Sequence, residues 1–262
     1  MKIAICGILG KMGKEIVNVA YEKRVKICAG IERKEFEGKS SKEFFPFIPY
    51  DFPIISSEEA LKKIHEREKI DVIIDFSHRG VIIPYLKFVY ENKMDIGFVI
   101  GTTGFSDEEI DFIKKCSESI PIFFSYNMSR GINLLLKKIL PEIKKSLPDF
   151  DVEIVEIHHK MKKDAPSGTA LKLAEVLGGQ KIFGRSGIVG PRPENELGIF
   201  AVRGGDVVGD HIIFFLGDGE RIEIVHRASS RRVFAVGAIK AAEIVFERKE
   251  KGQKGLITSF FE

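Results

Sequence analysis

Residues 2–13 read Lys2-Ile3-Ala4-Ile5-Cys6-Gly7-Ile8-Leu9-Gly10-Lys11-Met12-Gly13, and this stretch decides how the first half of the chain folds. Ile3 to Cys6 is an apolar run of strand length, and beyond it Met12, Ile16, Val19 and Ala20 recur at helical spacing. Glycines at the junction permit a tight turn and let a pyrophosphate lie against bare backbone at a helix N-terminus. The spacing is G-x-x-G-x-x-G, a modest signal by itself. Context strengthens it, because Glu32 closes the next strand-like run, Val25 to Ile31, 19 residues after Gly13. A carboxylate there suits the hydroxyls of an adenosine ribose. The competing reading is an ordinary tight turn with a surface glutamate; strand, glycines, helix and acid together favour a dinucleotide. Arg33 beside Glu32 suits a 2′-phosphate, so both NADH and NADPH are expected.

Downstream the alternation continues. The segment 33–53 carries three prolines and five phenylalanines without clear period and reads as a long loop with short extended pieces. Ser57 opens a charged helix; Asp71 to Phe76, Ile96 to Ile100 and Pro121 to Phe124 are buried strands, with helices near 80–91 and 107–118. The expectation is an α/β fold, a Rossmann-like doubly wound parallel sheet over residues 1–127. The rhythm then changes. A helix over 130–146, a long strand from Asp151 to His159 and a helix from Thr169 to Leu177 precede three strand-like runs, 198–202, 211–216 and 221–226, with no helix between them. Residues 128–231 are therefore expected to form a smaller α+β domain with a mixed or antiparallel sheet. A last helix near 232–248 carries Val233, Val236, Ala241 and Ile244 as its buried stripe.

The 262 residues hold 41 Lys and Arg against 38 Asp and Glu, a surplus of three that argues against a nucleic-acid partner. Three cysteines, Cys6, Cys28 and Cys116, share no metal or redox spacing, so neither a disulfide framework nor a metal site is expected. No apolar run reaches the roughly 20 residues of a membrane helix, and no small-residue cleavage site follows residues 3–10. A soluble cytoplasmic protein is the expectation.

Two further strand ends carry small or polar residues where ligands gather in a parallel sheet: Gly101-Thr102-Thr103-Gly104 and Ser125-Tyr126-Asn127-Met128. Either could be a plain turn, and Asp75 could cap the helix after it. The richest stretch is Glu156-Ile157-His158-His159-Lys160-Met161-Lys162-Lys163-Asp164-Ala165-Pro166-Ser167-Gly168-Thr169-Ala170. Neighbouring histidines on a strand point to opposite faces, so His158 and His159 share a site only if the strand ends there. Ser167 reads as an N-cap, and the backbone N–H groups of Gly168 and Thr169 then suit a carboxylate or phosphate, with lysines adding attraction. A solvated basic loop before a routine helix is the bland alternative. An anionic-substrate site is favoured over it.

The chain resembles the dihydrodipicolinate reductase family over essentially its whole length. The resemblance rests on GILGKMG (7–13), GTTGF (101–105), EIHHKMKKDAPSGTA (156–170) and the run from Phe200 to Gly237. It implies reduction of a cyclic imine dicarboxylate by NADH or NADPH, with hydride to ring C4 and then protonation. It further implies His158 as acid–base histidine and Lys162 as catalytic lysine, although Lys163 adds a neighbouring charge. His159, Ser167, Gly168 and Thr169 match substrate-holding positions, with Arg231 near a carboxylate. Gly7, Ile8, Leu9, Gly10, Lys11, Met12, Gly13, Glu32, Arg33, Gly101, Thr102, Thr103 and Ser125 to Met128 match cofactor positions. A C-terminal helix (232–262) packed on the first domain and a homotetramer built by the second sheet are also implied; with cofactor and substrate sites expected in different domains, hinge closure is expected as well. Two other readings are a different nicotinamide-dependent dehydrogenase and a non-catalytic dinucleotide sensor; an acyl-enzyme route lacks a cysteine beyond Cys116.

Overall fold

Short, mostly apolar runs form strands buried on both faces, and five such runs supply the main strands of a seven-stranded first sheet. In chain order these and their helices are β1 (Lys2–Cys6), α1 (Lys11–Glu22), β2 (Lys26–Ile31), β3 (Ile54–Ile55), α2 (Glu58–Glu68), β4 (Val72–Asp75), α3 (Arg79–Glu91), β5 (Gly97–Ile100), α4 (Asp107–Ser117) and β6 (Pro121–Phe124). There follow α5 (Arg130–Leu134), a π turn (Leu135–Ile139), α6 (Leu140–Ser146), β7 (Asp151–His158), α7 (Gly168–Leu177), β8 (Gln180–Ile182), β9 (Glu196–Arg203), β10 (Asp210–Gly217) and β11 (Glu220–Arg227). The chain ends with α8 (Arg232–Glu250) and β12 (Gly255–Ile257). The computed structural model describes residues 1–261, which divide into one unit of 1–128 with 234–260 and another of 129–233 with Phe261.

The first unit is Rossmann-like, a seven-stranded sheet in the order β12-β6-β5-β4-β1-β2-β3 with every pair parallel. The order reverses at β1, which puts the Gly7 turn at the switch point where open α/β sheets bind ligands. Side chains alternate across the sheet. Ile3 and Ile5 pack with α1 and α8, while Ala4 and Cys6 pack with α2, α3 and α4. The segment 33–53 is more ordered than its composition suggests. Short 3-10 turns at Lys34–Phe36 and Ser41–Glu43 leave Phe45, Ile48 and Phe52 buried against the core.

The expected C-terminal helix over 232–262 stops at Glu250, and Glu262 lies outside the described residues. Gly252 and Gly255 take φ of +65° and +115°, which ends the helix, and the apolar Leu256 and Ile257 then add an edge strand beside β6. The buried stripe of α8 also differs from expectation. Ala235, Gly237, Ala238, Ala241 and Ala242 are buried, whereas Val236 and Ile244 are only partly so. Small residues win because the helix lies very close to its neighbours: a Cβ at Gly237 would sit 1.7 Å from the Met128 carbonyl oxygen.

The second unit has a mixed sheet, β11-β10-β7-β9-β8, in which β7 and β8 run parallel to β9 and β10 runs antiparallel to β7 and β11. One face buries Ile154, Ile199, Ile213 and Phe215 against Ala170, Leu173, Ala174 and Leu177 of α7. The helical stretch 130–146 is interrupted by the π turn just before Pro141. Proline has no N–H and its ring crowds the carbonyl four residues back, so the ladder widens there.

Gly237→Ala separates helix propensity from packing. Alanine favours an exposed helix by about 1 kcal/mol, yet here the added methyl meets backbone, and a net loss of roughly 1–3 kcal/mol is expected in urea unfolding.

Candidate active site

In the first unit a cavity of about 550 Å³ is lined by Gly7, Gly10, Glu32, Arg33, Ser77, His78 and Tyr85, among others. Its floor is backbone. Gly7 takes φ +75° and donates its N–H to Ile31 O at 2.9 Å. A Cβ at Gly7 would come within 2.8 Å of Phe76 O, and one at Gly13 within 2.2 Å of Gly7 O. Gly10 caps α1 without a side-chain hydrogen bond, and no acidic residue stands in the first turn. A bare, uncapped helix start beside a carboxylate fits a dinucleotide's pyrophosphate and ribose. Glu32 accepts a hydrogen bond from the N–H of Arg33, whose guanidinium pairs with Glu35 at 3.1 Å and lies over the Phe36 ring.

Several expected cofactor residues face elsewhere. The side chains of Ile8 and Met128 are core, so only their backbone can meet a ligand. Leu9 and Met12 pack partly against the same core, and Lys11 is exposed. Thr102 does not offer its hydroxyl outward; its Oγ1 accepts from Ser77 N at 3.1 Å. Thr103 is exposed, and Gly101 has room for no side chain because the Phe76 ring lies 2.5 Å from its notional Cβ. Ser125 closes its own turn by donating to Asn127 O at 2.9 Å, leaving Tyr126 exposed and Asn127 half-buried. Asp75 does not cap α3; His78 does. Asp75 is instead buried and accepts from Ser77 Oγ and N, and burial pushes its pKa up.

In the second unit β7 ends at His158, as a site shared by the two histidines requires. His159 donates its N–H to Val207 O at 2.8 Å, and Gly204 donates to His158 O at 3.0 Å, so 204–209 braces the strand end. Beneath it lies Glu156, with no exposed surface. Its Oε2 meets His158 Nδ1 at 2.5 Å and Arg203 Nη1 at 2.8 Å; its Oε1 accepts from Arg203 Nη2 at 2.7 Å and Ser167 N at 3.0 Å. Ser167 caps α7 by accepting from Ala170 N, and its Oγ lies 3.1 Å from His211 Nε2. Gly168, exposed, has nothing within 4 Å of a notional Cβ, and Thr169 follows it half-buried. Lys162 is held by both carboxylate oxygens of Asp164 at 2.9 Å, whereas Lys163 is exposed. Arg231, half-buried between β11 and α8, is not part of this network.

Charges here are set by burial first. Burial lowers the pKa of His158, Glu156 pushes it back up, and Lys162 and Arg203 repel the added proton, for a net decrease. The resting imidazole is therefore neutral, not cationic. Burial alone would raise Glu156, but Arg203, His158 and the Ser167 N–H outweigh it and keep the carboxylate ionised. His211, 3% exposed, is pushed down to about 3, chiefly by burial and then by His158.

Glu156, Arg203 and His211 carry this geometry and were not singled out from sequence. A signal existed for the first: Glu156 precedes His158 by two on a strand and so shares its face. Arg203 and His211 reach the site through strand pairing, which no local pattern reveals; Arg203 lies opposite His158 on β9, and His211 opposite Glu156 on β10.

Unfolded histidine takes a proton near pH 6.5, while native His211 resists until about 3. Between these values the unfolded chain binds more protons, so this contribution to stability is present above pH 6.5 and is lost as pH falls. In urea titrations between pH 6 and 4, the slope of stability against pH should be smaller in His211→Asn than in wild type, by up to about 1.4 kcal/mol per pH unit.

Among the described residues, no helix is long and apolar enough to cross a membrane, and no three His, Cys, Asp or Glu side chains group as a metal would require. A family model described as dihydrodipicolinate reductase, N-terminus, matches residues 1–128, and its C-terminus counterpart matches 131–259. The 4-hydroxy-tetrahydrodipicolinate reductase of Aquifex aeolicus (strain VF5) is 43% identical over 274 residues, 96% of each chain. That of Methanocaldococcus jannaschii is 38% identical, covering 95% of this chain and 94% of its own. The structure of dipicolinate-bound dihydrodipicolinate reductase from Paenisporosarcina sp. TG-14 superposes with a TM-score of 0.75 at 25% identity, over 99% of this chain and 97% of that one. Aspartate semialdehyde dehydrogenase II from Vibrio cholerae, at 10% identity and a TM-score of 0.56, shares the fold alone. With both halves matched and the relatives aligned end to end, the chain belongs to the dihydrodipicolinate reductase family.

Proposed function

We propose that the protein reduces 4-hydroxy-tetrahydrodipicolinate, or the dihydrodipicolinate left when it loses water, to tetrahydrodipicolinate in diaminopimelate and lysine biosynthesis. The observation that carries this reading is the open start of α7, whose Ser167 cap and the His158 imidazole are held by the same Glu156 carboxylate, in a chain whose relatives are named for this reaction. NADH or NADPH, held by the Gly7–Gly13 turn, supplies hydride to ring C4. Residues 1–127 form the dinucleotide-binding part and 128–231 the substrate-binding and oligomerisation part.

The substrate is a dianion. The backbone N–H groups of Gly168 and Thr169, with His159 and Arg231, hold its carboxylates, and Ser167 keeps the helix start in place. Hydride addition to a conjugated imine leaves an electron pair that one proton must quench. His158 is neutral in the resting protein, while Lys162 Nζ donates to Asp164 and is the donor that can supply the proton; the bound carboxylates then favour a proton on His158 as well. Such positioned proton transfer contributes about 10²–10⁴-fold.

The outer face of the second sheet supports the homotetramer. Val202, Leu216 and Val225 are 46%, 37% and 42% exposed on it, and an apolar sheet face of this kind wants a covering partner. A cytoplasmic setting agrees with three free cysteines, and a net charge of only +3 with the absence of a nucleic-acid partner.

Oxidation of NADH or NADPH, followed with substrate supplied by a coupled synthase, tests the reading. Wild type should turn over, and Lys162→Ala should lose roughly 10²–10⁴-fold in kcat with little change in NADH affinity. Equal rates would remove Lys162 from the mechanism, and no turnover in wild type would favour a sensor. Val225→Glu on the sheet face should shift sedimentation from tetramer towards smaller species; an unchanged tetramer would place the contact elsewhere.

A further inference from the structure

The Glu156 carboxylate is fully buried, and each of its oxygens has two donors. A carboxylate only accepts, so the His158 nitrogen facing it at 2.5 Å, Nδ1, carries hydrogen. In a neutral imidazole that leaves Nε2 as the free acceptor. Nε2 lies beside Gly209, where a Cβ would come within 2.9 Å, so a bare backbone is required next to the nitrogen that exchanges its proton. The same carboxylate accepts from the N–H of Ser167, the residue that caps α7. One side chain thus fixes both the orientation of the imidazole and the first turn of the anion cradle. Arg203 supplies the compensating charge through a two-pronged pair.

We infer that Glu156 is a positioning residue for the reduction: it locks His158 in the Nδ1–H tautomer, leaving Nε2 to take up and hand over the proton, and registers that imidazole with the start of α7. The inference rests on His158 acting as the acid–base group of the proposed function. Its logic is that of any orienting carboxylate behind a histidine, which sets the tautomer without itself exchanging the proton. His211 faces the same imidazole edge to face, with ring centroids 5.4 Å apart, but its Nε2 is engaged with Ser167, so it stands outside the proton path.

Glu156→Gln tests this. Its amide oxygen is best kept where Ser167 N and Arg203 Nη2 both donate, which turns the amide NH2 towards His158 Nδ1 and forces the opposite tautomer. In ¹⁵N-histidine spectra, free wild type should show His158 protonated on Nδ1, and Glu156→Gln should show it on Nε2. Turnover should fall roughly 10–100-fold, the usual scale for orienting partners. In a His158→Ala background the same change should cost less than about 3-fold, because a residue acting through His158 has nothing left to orient. NADH affinity should be unchanged throughout. A wild-type proton on Nε2 would overturn the inference without any variant, as would an equal cost of Glu156→Gln in both backgrounds, the mark of a merely structural role. If His158→Ala alone left turnover intact, the acid–base assignment would fall and the inference about catalysis with it; the tautomer spectra would still separate that failure from a failure of the Glu156–His158 contact.

Discussion

A carboxylate with no exposed surface is the interaction on which the second unit depends. Taking such a charge out of water costs several kcal/mol, and removing one partner of a buried pair typically costs about 3–5 kcal/mol. Glu156 therefore stays where it is only because β9 delivers the Arg203 fork, the end of β7 delivers His158, and the start of α7 delivers the Ser167 N–H. Three elements that meet nowhere else in sequence are brought to one point by a single unmet need for donors. The placement of His158 relative to the α7 start follows from it, since the imidazole and the Ser167 N–H both donate to that carboxylate.

The first unit solves a different problem, the close approach of backbone to backbone. Gly7, Gly13 and Gly101 each leave room that a methyl group would fill, against Phe76 O, Gly7 O and the Phe76 ring. Phe76 thus lies between two glycine turns, and its own turn is pinned by Ser77, whose N–H is shared by Asp75 and Thr102. The polar residues at these strand ends knit the turns together, and backbone is left to line the cavity. That is why Thr102 and Ser125, attractive as direct ligands, are committed to the protein itself.

Electrostatics then distinguishes Lys162 from His158. Lys162 donates to both carboxylate oxygens of Asp164, while burial and the neighbouring cations hold His158 neutral.

Local chemistry alone determined the parallel sheet, the glycine turn at its switch point and the Ser167 cap, because each is written within a few consecutive residues as period, turn chemistry or capping. The family likeness was equally legible, carried by long runs such as residues 156–170. Tertiary structure alone decided that Arg203 and His211 stand beside Glu156 and His158, since strand register is a contest between whole faces. It also decided that α8 buries Ala235, Ala238 and Ala242 while Val233 and Val236 stay only partly buried, and that residues 255–257 add a strand. Those outcomes depend on how closely distant backbones approach, a distance that no short window of sequence encodes.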